Sequence, residues 1–167
     1  MRLTQFLNEN LIDLDFDIGR DPEVEERLEG ERLVAHYREV IIGAVTHLLD
    51  RSGKIGNASK LFNDLLNREK KAATAIGLSI AIPHVRTIQA KSTIMGFLRA
   101  KEPIPFGAPD DKDVQIFIPI VGPPYDDKVY LKIYRQLGEL LLEEGVADQL
   151  INVAEPGEVI RIFGAMT

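Results

Sequence analysis

Apolar and polar positions change their spacing along this chain, and the changes separate helices from strands. From Leu33 to Leu49 the apolar residues Leu33, Val34, Tyr37, Val40, Ile41, Ala44, Val45 and Leu48 recur at the intervals of one buried helical face. A second helix is predicted from about Asn57 to Lys71, with Asn57 or Ser59 as its cap and Leu61, Phe62, Leu65 and Leu66 turned inward. A third runs from roughly Asp126 to Glu144, behind the chain-breaking pair Pro123-Pro124, with Tyr130, Ile133, Tyr134, Leu137, Leu140 and Leu141 as its inner stripe. Two shorter helical pieces, about Val146 to Ile151 and Pro156 to Phe163, close the chain.

Between the helices the period drops to two, or apolar residues run together. The later positions of Leu11 to Ile18 alternate apolar and acidic, the spacing of a half-buried strand. Asp21 then caps, and Pro22 opens, an acidic helical stretch from Glu23 to Glu31 that suits the positive end of a helix dipole. Ile80-Ala81-Ile82, Ser92 to Leu98 and Asp113 to Val121 read as buried strands, the last two joined by a loop through Glu102-Pro103-Ile104-Pro105-Phe106. Pro83 cannot donate to a ladder, so the first of these should end there and leave His84 at a strand tip. This pattern predicts one α/β domain over residues 1–167, with four or five strands and helices on both faces.

Bulk properties narrow the classes of function. The chain of 167 residues is long enough to bury a sizeable core, and 45% hydrophobic with 28% charged residues is ordinary globular composition. A net charge of −6 without a basic cluster argues against nucleic acid as partner. Zero Cys removes disulfides, thiolate chemistry and the common zinc cages, and fits a cytoplasmic protein. No apolar run reaches the ~20 residues of a membrane helix, and no signal-peptide core follows Met1, so the chain should be soluble and unexported, without membrane insertion. His36 and His47 lie on one helix roughly 16 Å apart along its axis, too far to share a metal. Neither a metal nor a cofactor is expected.

The chemistry concentrates between Arg68 and His84. A lone His after a Pro is ordinarily a surface turn residue, but here the upstream helix end brings Arg68, a permanent planar cation, and the connecting loop brings Thr74 and Gly77. Imidazole, guanidinium and hydroxyl together suit uptake of a phosphoryl group. The string Arg68-Glu69, Thr74, Ile76-Gly77 and Ile80-Ala81-Ile82-Pro83-His84 resembles the pattern of the fructose/mannitol/nitrogen-regulatory enzyme IIA components of the bacterial sugar phosphotransferase system. Ala75 and Ser79 stand where that family usually has Gly.

The resemblance implies a three-layer α/β/α sandwich with a mixed central sheet. It also implies that His84 is phosphorylated by the histidine phosphocarrier protein and passes the group to an enzyme IIB, with Arg68 holding the phosphoryl group and Thr74 in support. Members of the family generally carry a His-Leu pair at the opening of the helix after the last strand; the corresponding pair here is Tyr130-Leu131. A Tyr can donate a hydrogen bond to phosphate but cannot become a cation near neutral pH. The alternative is therefore a non-catalytic regulatory module of the nitrogen type, whose phosphorylation state or binding surface controls a partner. Neither the sugar, nor the regulated target, nor the reacting nitrogen of His84 is written in the sequence.

Overall fold

The structure is a computed structural model, and it describes residues 1–165. Two short 3-10 turns, Leu3–Gln5 and Glu9–Leu11, lead into strand β1, Ile12–Phe16. The acidic stretch behind it is a single short helix, α1, Pro22–Arg27, with Pro22 in its first turn and the Asp21 side chain accepting from the Glu23 amide. It does not reach Glu31, because the chain turns at Gly30 (φ 55°) and restarts there as α2, Glu31–Asp50. Helix α3, Ala58–Lys71, starts where Asn57 accepts from the Lys60 amide. The strands that follow are β2, Ala75–Gly77; β3, Ile80–Ala81; β4, His84–Arg86; β5, Ile94–Met95; β6, Phe97–Ile104; β7, Val114–Phe117; and β8, Ile120–Gly122. Helices α4, Asp127–Leu141, α5, Val146–Asn152, and α6, Pro156–Gly164, complete the chain.

The strands form two sheets. Five pair in the order β1-β6-β7-β3-β2, with parallel and antiparallel neighbours mixed, and three pair as β4-β8-β5. The second sheet departs from the sequence reading. Two apolar runs read as one strand each cross a break, at Gly96 between β5 and β6 and at Ile118-Pro119 between β7 and β8, and beyond the stop expected at Pro83 the chain resumes as β4. Proline removes the donor a continuous ladder needs, and Gly96 admits a neighbouring run closely, since a Cβ there would lie 3.2 Å from Pro119 Cγ. The breaks are stitched together: Gly96 donates to Pro119 O at 3.0 Å and Ile120 donates to Pro83 O at 2.9 Å. His84 is thus not a loose strand tip; it opens a strand at the seam between sheets, beside Ile120.

Pro103 is another correction, because β6 runs through it to Ile104 instead of ending in a loop. It falls where the β6–β7 register shifts between Arg99 and Ile104, the position at which a missing donor costs the ladder least. The sheets separate two apolar layers. Helices α4 to α6 cover one face through Ile133, Leu137, Leu150 and Phe163, while α2 and α3 cover the other through Ile41, Val45, Leu61 and Leu65. The result is the helices-on-both-faces domain that the pattern predicted and the α/β/α sandwich that the resemblance implied.

Candidate functional site

His84 is oriented by its own chain. Its Nδ1 lies 2.6 Å from the carbonyl oxygen of Ile82, two residues upstream across Pro83. A carbonyl only accepts, so Nδ1 carries the proton and Nε2 keeps its lone pair. That lone pair faces Arg68 Nη2 at 3.3 Å. Arg68 reaches it from the last turn of α3, and its Nη1 donates to Ala72 O at 2.9 Å, which fixes the plane of the guanidinium. Burial lowers the His84 pKa below its ordinary value; the Ile82 carbonyl works against this and the Arg68 charge adds to it. The ring is therefore neutral at pH 7.

A cleft of about 590 Å³ opens above these groups, lined by Arg68, His84, Val85, Arg86, Pro124, Tyr130 and Leu131. Tyr130, from the first turns of α4, stands 6.3 Å from the imidazole between ring centroids, and Tyr134, one turn further on, stands 4.7 Å away. Burial pushes the Tyr130 hydroxyl well above its ordinary pKa, so it remains a neutral donor. Gly122 makes room beneath it, since a Cβ there would lie 3.5 Å from Tyr130 Cδ2 and 2.8 Å from Thr93 Oγ1. Arg86 lies 5.8 Å over the Tyr130 ring and pairs with Asp127 at the start of α4.

Three of the four residues singled out in the sequence, His84, Arg68 and Tyr130, meet in this cleft. Thr74 does not. Its hydroxyl donates to Glu69 Oε1 at 2.5 Å and its amide to Glu69 Oε2 at 2.7 Å, on the loop behind the histidine, so its side chain secures the backbone and is not offered to the cleft. Sequence reasoning passed over Arg86 and Tyr134. The period of two along β4 puts Arg86 on the same face as His84, and the four-residue helical spacing puts Tyr134 above Tyr130. His36 and His47 sit on α2, one half-buried against Tyr37 and the other exposed, apart from the cleft.

Residues 32–165 match the family model of the phosphoenolpyruvate-dependent sugar phosphotransferase system, EIIA 2, and the chain belongs to that family. It is similar to the fructose-specific EIIA component of that system in Haloferax volcanii, at 32% identity over 122 residues, 71% of this chain and 79% of that one. The crystal structure of the nitrogen regulatory protein IIA-Ntr of Neisseria meningitidis superposes with a TM-score of 0.80 at 24% identity, covering 96% of this chain and 98% of that one. Enzyme IIA-mannitol of Escherichia coli, solved in complex with phosphorylated enzyme IIB-mannitol, superposes with a TM-score of 0.71 at 20% identity over 95% and 96% of the two chains. Among the described residues no helix is long and apolar enough to cross a membrane.

Proposed function

We propose that this chain carries a phosphoryl group on Nε2 of His84, taken from the histidine phosphocarrier protein and either passed to an enzyme IIB or held as a signal. The observation that carries this reading is the pair of contacts dividing the imidazole, Nδ1 to the Ile82 carbonyl and Nε2 to Arg68. In the transfer the donor's nitrogen–phosphorus bond breaks as the Nε2 lone pair forms the new one, roughly in line. The ring becomes imidazolium-like, and its Nδ1–H donates more strongly to Ile82 O, which stabilises the developing charge. With its plane held by Ala72 O, the Arg68 guanidinium exchanges its contact with the ring nitrogen for the phosphoryl oxygens, on which neighbouring N–H groups bind side by side, and Arg86 adds a second cation from the same cleft.

Tyr130 favours a second reading, in which the loaded form persists. A buried, neutral phenol at this position donates a hydrogen bond to the phosphoryl group and supplies no positive charge for onward transfer. Long-lived phosphohistidine suits control of a partner better than flux into a sugar. Incubation with phosphoenolpyruvate, enzyme I and the phosphocarrier protein, followed by intact mass, tests the common core of both readings. Wild type should gain one acid-labile, base-stable phosphoryl group and His84→Gln none; equal gain by the two proteins would overturn the assignment.

A further inference from the structure

Helix α3 buries an acid that the transfer itself does not use. Glu69 is 1% exposed, while its neighbours Lys70 and Lys71 face solvent. Burial raises its pKa, against two hydrogen bonds from Thr74 and the charges of Arg38 and Arg68. An acid in such a place is held by specific partners, here both donors of one residue, Thr74.

The segment these bonds grip, Ala72 to Thr74, holds both working groups. Ala72 O accepts from Arg68 Nη1 at 2.9 Å. Thr74 O accepts from the Ile82 amide at 3.0 Å, and the carbonyl of that same Ile82 accepts from His84 Nδ1 at 2.6 Å. Arg68 Nη2 closes the ring of contacts on His84 Nε2. We infer that Glu69 is the positioning residue of this site: by clamping Thr74 from inside the fold it sets, through one loop, both the plane of Arg68 and the tautomer of His84. This rests on the reading of His84 as phosphoryl acceptor.

The clamp does not depend on the charge of Glu69. The Thr74 hydroxyl donates to a carboxylate and accepts from an acid or an amide, so Glu69→Gln keeps both bonds, while the similarly sized Glu69→Leu keeps neither. Phosphorylation from the phosphocarrier protein, measured with nitrogen NMR of the His84 ring in the unphosphorylated protein, tests the inference. Glu69→Gln should load within about threefold of wild type. Glu69→Leu should lose about 10²-fold in maximal rate with the half-saturating donor concentration little changed, as expected when reacting groups are misplaced and not lost. Its His84 should also shift from one Nδ1–H tautomer to a mixture. A folded Glu69→Leu with wild-type rate and tautomer would overturn the inference. Should Glu69→Leu fail to fold, the isosteric Thr74→Val decides, with a loss of about fivefold and partial tautomer mixing expected and no change in either overturning the clamp. Wild type that takes up no phosphoryl group would sink the reading of the site, while the tautomers would still judge the clamp.

Discussion

At His84 the division of labour between two nitrogens rests on a single carbonyl. Burial penalises a charged imidazole here, and a cation on the ring would also face Arg68, so the folded protein binds that proton less readily than the unfolded chain does. His84 therefore contributes stability that is fully present above its ordinary value of 6.5 and is lost as pH falls toward the lower folded value. In urea titrations between pH 7.5 and 5.5, wild type should lose more stability than His84→Gln, and parallel losses would contradict the burial argument. The same depression places the acid limb of the phosphorylation rate below pH 6.5, because the lone pair survives to lower pH. Arg68→Lys keeps a charge but not the paired N–H groups, so it should fold normally and load about 10- to 100-fold more slowly. An unchanged rate would make Arg68 a bystander.

Among the elements, the β2–β3 hairpin and helix α4 carry the departures from the family pattern. Leu78 and Ser79 turn the hairpin at φ 59° and 62°, the left-handed region that a two-residue turn requires and that glycine enters without strain. Ser79→Gly should raise stability by about 0.5–1 kcal/mol, the relieved strain being partly offset by a freer unfolded chain, with phosphorylation unaffected; a lower melting temperature would contradict this. On α4, Tyr130→His restores a group that becomes a cation. Loaded to the same level, that variant should discharge to an enzyme IIB faster than wild type, and equal rates would remove the case for a persistent signal. Helices α2, α3 and α4 were readable from periodicity because each buries one stripe, as Leu137 and Leu141 do in α4. The splitting of strands was not, because β3 and β7 are buried on both faces and unbroken apolar runs carry no period. Only Pro83 and Pro119, with Gly96 beside them, marked the seam.

Across the whole molecule, the seam explains why the cleft lies where it does. Three segments of the chain cross between the sheets, and His84 starts its strand on the far side with α3 behind it and α4 above. The string from Arg68 to His84 made the meeting of guanidinium and imidazole legible, and the stripe of α4 made Tyr130 legible as inward-facing. What Thr74 touches was not legible, since a hydroxyl on a loop faces a ligand or a neighbour with equal ease, and the buried Glu69 is visible only once the loop is folded over it. A phosphoryl group would add about −1.5 to −2 charge at this mouth to a chain of net −6, enough to change how a partner meets the surface. The most direct measurement is phosphorus–nitrogen coupling in nitrogen-labelled protein loaded from the phosphocarrier protein. The predicted result is one phosphorus bonded to Nε2 of His84, with Nδ1 still protonated; a bond to Nδ1, or to a ring of His36 or His47, would contradict it.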